Sequence, residues 1–352
     1  MKKAISSLQL GFIYSYVHFA VEVACFYFLF SRLSDSPLWW GFALLYDAIA
    51  FLLQGFIGVF ADKHQKINYG LSGCLIILIS LVLPFDVFAL ITLSVGNALV
   101  HIGGAQQTLK TSEGKITPTA VFVGGGSFGV ITGQLLGLIK KDILVLIPIV
   151  LILISVFILI YISRQYEAKE KEWKLDITTG HSLAMIIIIS FAVVAIRAYI
   201  GYAIPTEWKK TKLQAILLFF IMGAGKIAGG ILADKLGHYK TALISSVFAL
   251  PFLLFGNSHM VLSLIGVGLF SMTMPITISI LVSRFPKQPC FSFGVTTIAL
   301  FVGTLPAFFI RPTTLLAHQL TVLILIIIAT IGLLICIRKK DSNELKSKKN
   351  AV

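Results

Sequence analysis

Gly58-Val-Phe-Ala-Asp-Lys63 and Gly230-Ile-Leu-Ala-Asp-Lys-Leu-Gly237 are two copies of one short sequence, with Asp62 and Asp234 standing 172 positions apart. Each copy closes an apolar stretch, so the same local sequence ends two equivalent helices. A glycine one turn before the aspartate admits a neighbouring helix closely, and the aspartate can accept hydrogen bonds from the exposed amides of a helix N-terminus. Lys63 and Lys235 stay in water and fix the depth of each helix end. A softer match keeps nearly the same offset, because Gly96–His101 resembles Gly266–Ser271. The chain therefore reads as a duplicated unit.

What surrounds the two copies is a membrane protein. Of 352 residues, 57% are hydrophobic and only 12% are charged, where a soluble domain carries about a quarter. Mean hydropathy is +0.94. Twelve windows approach the roughly 20 apolar residues that cross a bilayer. Six lie between Leu8 and Ile162 and six between Ser182 and Ile337; the third is Tyr69 to Phe85, the tenth Val261 to Val282 and the twelfth Leu315 to Ile337. The one long polar segment, 164–180, separates a first six-helix unit, 1–163, from a second, 181–352, which ends in a basic tail from Arg338 to Lys349. The fold expected is all-α, with twelve transmembrane helices in two pseudo-symmetric six-helix bundles.

Charge sets the orientation. With the amino terminus inside, the cytoplasmic segments hold 20 Lys and Arg and the outer ones seven, which places both termini in the cytoplasm of a multi-pass protein of the cell membrane. The net charge of +14 is spread over short breaks between apolar windows, so no nucleic-acid surface is expected. The apolar stretch after Met1-Lys2-Lys3 contains His18 and Glu22 and no small-residue cleavage site, and reads as a retained first span. The four cysteines lie inside apolar windows, and no His/Cys spacing typical of metal ligands is present, so neither metal nor cofactor is expected.

Gly230 to Gly237 resembles the cytoplasmic loop signature of the major facilitator superfamily of transporters. The first copy departs from that signature at Gln65, where its second glycine would stand, and the second at His238 and Tyr239, which replace the usual basic pair. The resemblance covers nearly the whole chain and implies two bundles rocking about a central site near the midplane. Arg197-Ala-Tyr-Ile-Gly201, ahead of Pro205, is loosely similar to the seventh span of fosmidomycin-resistance-type exporters within the superfamily.

Ionisable side chains within spans are costly and mark candidate sites. Glu22 and Asp47 lie at similar depth, ~3–5 Å outward of the midplane at 1.5 Å per residue, and are the candidate proton-coupling pair, a structural hydrogen bond being the alternative for each. Tyr14, His18 and Glu22 recur every four residues as one inward polar stripe. The second half carries cations instead: Arg197 is placed to pair with Glu22 or to bind an anionic group bidentately, while Lys226 either lines the cavity or snorkels to the surface. Asn97, His101 and Gln134 complete the candidate cavity, with helix packing as the other reading of Asn97 and His101. Gly125, Gly129, Gly133 and Gly137 form a small-residue ridge on the fifth span, which lacks the proline of the superfamily's antiporter signature.

The function expected is a secondary active transporter, a monomer moving a small anionic or amphipathic solute by proton-coupled alternating access. A drug-efflux antiporter and a non-transporting sensor or assembly factor are the alternatives. An enzyme is not expected: the string Gly125-Gly126-Ser127-Phe128-Gly129 lies inside the glycine ridge, without a base placed to activate the serine.

Overall fold

The computed structural model describes residues 2–175, 177, 181–204, 206–309 and 319–337. Pro205, most of the last linker residues and the basic tail from Arg338 lie outside them. The first six helices are α1 (Ser7–Leu33), α2 (Trp39–Lys63), α3 (Tyr69–Val82), α4 (Asp86–Leu109), α5 (Thr117–Gly137) and α6 (Asp142–Gln165). The second six are α7 (Leu183–Ala203), α8 (Lys212–Leu236), α9 (His238–Phe255), α10 (Met260–Arg284), α11 (Pro289–Phe309) and α12 (Leu320–Ile337). Eleven of these are long and apolar enough to cross a membrane; α3 is apolar but has only 14 residues and stops at Val82, ahead of Pro84.

The helix ends follow from local chemistry. Ser6 and Gln9 form a capping box at the start of α1, Thr211 and Gln214 another at the start of α8, and Asn68 and Ser182 cap α3 and α7. These caps satisfy the amides that the first helical turn leaves unpaired, which is worth about 1 kcal/mol each. Gly237 joins α8 to α9 with φ at 91°, in the left-handed region open to glycine.

The tenth span is not continuous. It runs as Met260–Ser271 and Met274–Arg284, with a turn at Met272 and Thr273 just before Pro275. Pro275 has no amide proton to give Ser271, so the ladder opens there. The neighbouring Phe270 carbonyl, on the last turn of the first segment, accepts from the Thr273 hydroxyl and from the guanidinium of Arg197.

The helix partners repeat between the halves. α1 packs on α5 as α7 packs on α11, α2 on α4 as α8 on α10, and α3 on α6 as α9 on α12. Across the interface α5 meets α8 and α2 meets α11. The tightest packing is between α1 and α5. A Cβ placed on Gly125, Gly129, Gly133 or Gly137 would land on the carbonyl oxygens of Ser15, Phe19, Val23 and Tyr27, one per helical turn. This is the role read from the glycine spacing, close backbone approach where lipid supplies no hydrophobic drive for helix association. Large apolar side chains such as Phe12, Phe56, Phe157, Ile188, Phe248 and Ile331 point outward, as a lipid-facing surface requires.

The amino terminus and the start of the linker lie on one side of the bundle, since Lys3–Ala4 pairs in parallel with Tyr166–Glu167. The linker then packs across the ends of helices from both halves. The Lys171 amide donates to the Lys110 carbonyl, Lys171 and Lys174 reach Glu113 at 3.1 and 2.6 Å, and Trp173 Nε1 donates to Ser283 Oγ.

Candidate functional site

Asp62 and Asp234 do what the duplicated sequence leads one to expect. Asp62, on the last turn of α2, accepts hydrogen bonds from the amides of Cys290 (3.2 Å) and Phe291 (2.9 Å) at the start of α11. Asp234, on α8, accepts from the amides of Ile116 and Thr117 (2.9 Å each) and from the Thr117 hydroxyl (2.5 Å) at the start of α5. Both bonds cross between the halves, and both set a carboxylate against the positive end of a helix. Each receiving helix carries a proline in its first turn, Pro118 in α5 and Pro289 in α11. Gly58 lies against the carbonyl of Cys290, and Gly230 against Ala120 and Thr117, where a side chain would hold the helices apart. Lys63 and Lys235 are exposed; the lysine that approaches Asp62 is Lys110, at 3.8 Å. The motif side of the molecule is thus latched shut twice.

Above the latches, between the halves, lies a cavity in two adjoining lobes of about 310 and 420 Å³, which share Phe51, Met222, Lys226, Thr277 and Leu300. The second lobe extends to Thr206 and Lys209 on the α7–α8 connection, at the end of the molecule away from the latches.

The first lobe is built around Glu22. Its Oε1 accepts from Asn97 Nδ2 at 3.1 Å and lies 3.4 Å from His18 Nε2 and 3.6 Å from His101 Nε2. All four side chains are buried, none more than 8% exposed. His18 Nδ1 meets the main-chain carbonyl of Phe122 and His101 Nδ1 that of Asn97, each at 3.0 Å, and the two rings stand edge to face at 4.4 Å. Asn97 Nδ2 also reaches the Tyr46 hydroxyl at 3.0 Å. Gly126 makes room for this arrangement, since a Cβ there would fall on the His18 ring. Asp47 lines the same lobe as Glu22 but makes no hydrogen bond or ion pair with a described residue. Lys226 crosses the interface to donate to Ser127 Oγ at 2.9 Å, so it points into the cavity and does not snorkel.

Arg197 lines the second lobe. Its guanidinium lies over the Phe270 ring, 3.9 Å from the centroid, and donates through Nη2 to the Phe270 carbonyl. Nη1 is buried without a partner among the described residues. The pairing of Arg197 with Glu22 allowed by their depths is not made.

Two expected lining residues fall outside both lobes. Tyr14 is two turns from Glu22 toward the latched end, beneath the cavity floor, where it packs edge to face on Phe122 and borders a separate cleft with Asn68, Gln106 and Lys110. Gln134 lies one turn beyond Val130, the last residue of α5 on the lining. Helical periodicity assigns a face correctly and leaves open how far along that face the cavity extends. Tyr46, Ser127 and Phe270 were not singled out as site residues. Tyr46 is next to Asp47, Ser127 lies within the glycine ridge of the fifth span, and Phe270 precedes the break before Pro275.

Outside the spans, Lys174 and Lys171 hold the Glu113 carboxyl down to about 2, and Lys140 lowers that of Asp35. These pairs belong to the connections and not to the cavity.

No protein-family model and no curated protein matches the sequence. Among solved structures, the chain is similar to a crystal structure of the major facilitator superfamily transporter FucP in the outward conformation. The TM-score is 0.65 at 13% identity, covering 95% of this chain and 100% of that one. A crystal structure of the E. coli fucose:proton symporter FucP gives 0.64 at 12% identity with the same coverage. With twelve helices paired in two equivalent sets, the chain has the fold of a major facilitator superfamily transporter.

Proposed function

We propose that this chain is a secondary active transporter that carries a small solute bearing an anionic group across the cytoplasmic membrane by alternating access, coupled to protons at Glu22 with Asp47 beside it. One observation carries the reading. A two-lobed cavity lies between two equivalent bundles, latched on one side and reaching the end of the molecule on the other, with acidic and imidazole groups on one half and two cations on the other. Neither Arg197 nor Lys226 has a carboxylate within ion-pair distance among the described residues, so both remain available to an anion. A buried cation is costly unless a partner of opposite charge or hydrogen bonds offset it, and an anionic solute would supply that partner. The latched side is taken as cytoplasmic, with the charge bias of the loops. The proton is also the coupled ion of FucP, a neighbour in fold.

The test is a flux assay in liposomes. Small carboxylates, phosphates and sulfonates are first screened for thermal stabilisation of the purified protein, because a ligand of the native state raises its stability. Those that stabilise are then added to vesicles loaded with a pH-sensitive dye. Solute-dependent proton movement is expected, and Glu22→Gln abolishes it while leaving solute exchange. Arg197→Ala weakens the anion at least tenfold. Solute movement with the same pH dependence in Glu22→Gln would overturn the coupling assignment, and unaltered affinity in Arg197→Ala the anionic class.

A further inference from the structure

We propose that His18, Glu22 and His101 form a binding site for a divalent first-row metal ion of the Zn²⁺ or Co²⁺ kind. The ligating atoms of these three buried side chains lie within 4.8 Å of one another. Glu22 Oε1 is 3.4 Å from His18 Nε2 and 3.6 Å from His101 Nε2. Two ligands at about 2.0–2.1 Å on one tetrahedral ion stand about 3.3 Å apart, so small side-chain adjustments close the set around a metal.

The second observation is the direction of the nitrogens. Each imidazole sets Nδ1 on a main-chain carbonyl, that of Phe122 for His18 and that of Asn97 for His101. A carbonyl only accepts, so Nδ1 carries a proton, and in the neutral imidazole Nε2 then presents a lone pair. This is the orientation in which histidines ligate metals, with the outer nitrogen tied to a carbonyl or carboxylate. With both rings neutral, two lone pairs and a carboxylate oxygen converge, and the Asn97 amide donates to the carboxylate. Three acceptors turned on one point in a buried place are costly when left unpaired, and a metal cation satisfies all three at once.

Further features complete the site. Asn97 orients the Glu22 carboxylate as an outer hydrogen-bond partner does for a ligand. The Lys226 ammonium is engaged by Ser127 and leaves Glu22 to the ion. All three ligands line the cavity, which provides the entry path and an open coordination position. Two imidazoles and a carboxylate are a borderline set that favours Zn²⁺, Co²⁺ or Ni²⁺ over Mg²⁺ and Ca²⁺. The spacing of ligands in the sequence does not reveal the site, because His101 is brought by α4 to the His18 and Glu22 pair on α1.

The test uses the purified full chain with its affinity tag removed, titrated with Co²⁺ at pH 7.5 with no solute and no gradient. One equivalent is expected, with a visible ligand-field band that stoichiometric Zn²⁺ displaces and millimolar Mg²⁺ does not. His101→Gln and Glu22→Gln weaken binding at least tenfold, while His64→Gln, which alters a histidine outside the trio, does not. Because a cavity variant can fail to fold, X-ray absorption on the Zn²⁺-loaded wild type gives an independent readout, two imidazoles with oxygen donors at about 2.0 Å. No Co²⁺ band, a band unchanged in the trio variants, or a Zn²⁺ site without two imidazoles overturns the proposal. Failure here with solute-driven proton flux intact removes the metal site alone; binding without flux removes the transport reading alone.

Discussion

Asn97 is the single side chain on which the first lobe turns. Its amide donates to a carboxylate on α1, to the hydroxyl of Tyr46 on α2, and stands 3.6 Å from Cys25 Sγ. A buried hydrogen bond to a charged group is worth about 1.5–3 kcal/mol, twice a neutral one. Asn97→Leu is therefore expected to destabilise the protein by about 2 kcal/mol, and Tyr46→Phe by about 1 kcal/mol. The four native cysteines are all buried, so a thiol-reactive dye reports unfolding directly, and the order of the two melting temperatures checks the argument. Equal melting temperatures would show that the amide's bond to Glu22 carries no charge-assisted excess. At this scale the sequence was legible wherever chemistry is periodic. The four-residue stripe put His18 and Glu22 on the inward face of α1, and the cost of burying charge singled out Asp47, Arg197 and Lys226. Tyr14 and Gln134 were misplaced because the floor and mouth of a cavity depend on how the other half packs. The meeting of His101 with Glu22 was hidden for the same reason.

Helices carry two further expectations. On the α1–α5 seam each ridge glycine faces a carbonyl of α1, and the contact repeats over four turns, so the backbones have no freedom to separate locally. Inserting methyl groups into such packing costs about 1–3 kcal/mol. Gly129→Val, in the middle of the seam against Phe19, is expected to lower the melting temperature more than Gly201→Val, which meets open space on α7. Equal losses would place the seam's stability elsewhere. On the α4–α5 connection, the Glu113 carboxyl, held near 2 by Lys174 and Lys171 of the linker, ties the linker down. A carboxyl lowered by folding contributes stability that is complete above its unfolded value of 4.5 and lost as pH falls through about 2. Iodide quenching of Trp173, in a variant with the other tryptophans replaced by Phe, should stay low from pH 8 to pH 5 and rise below pH 4. Glu113→Gln should give the acid value already at pH 7. The pair is exposed, so its effect is modest and shrinks with salt. The break in α10 was the element-level departure, since an apolar run containing Pro275 was read as one span. The proline was in plain view. The bond of Arg197 to the Phe270 carbonyl beside the break depends on the neighbouring helix.

The molecule as a whole is symmetric in its scaffold and asymmetric in its charges. The helix partners, the two aspartate latches and the prolines of the receiving helices all repeat, and repetition is what a single sequence reveals best. The cavity groups do not repeat: acid and imidazole stand in the first half, guanidinium and ammonium in the second. Opening the motif side by a rocking of the halves must break both latches in one motion, because each ties a helix end of one bundle to a helix start of the other. Their contributions then add. A carboxylate on a helix N-terminus is worth about 0.3–1 kcal/mol at the surface and up to about 2 when partly buried. Taking about 1 kcal/mol for each, Asp234→Asn raises the share of motif-side-open molecules about fivefold, and Asp62→Asn with Asp234→Asn about thirtyfold. Spin labels at positions 115 and 287, exposed lysines in the two halves on the latched side, report that opening as a longer distance. Asp62 is approached by Lys110, whereas no lysine pairs with Asp234 among the described residues, so Asp62→Asn leaves an ammonium facing a neutral amide and opens the molecule further than Asp234→Asn does. Two single variants that each open as far as the double would mean that the latches act in series along one path, not in parallel across a rigid interface.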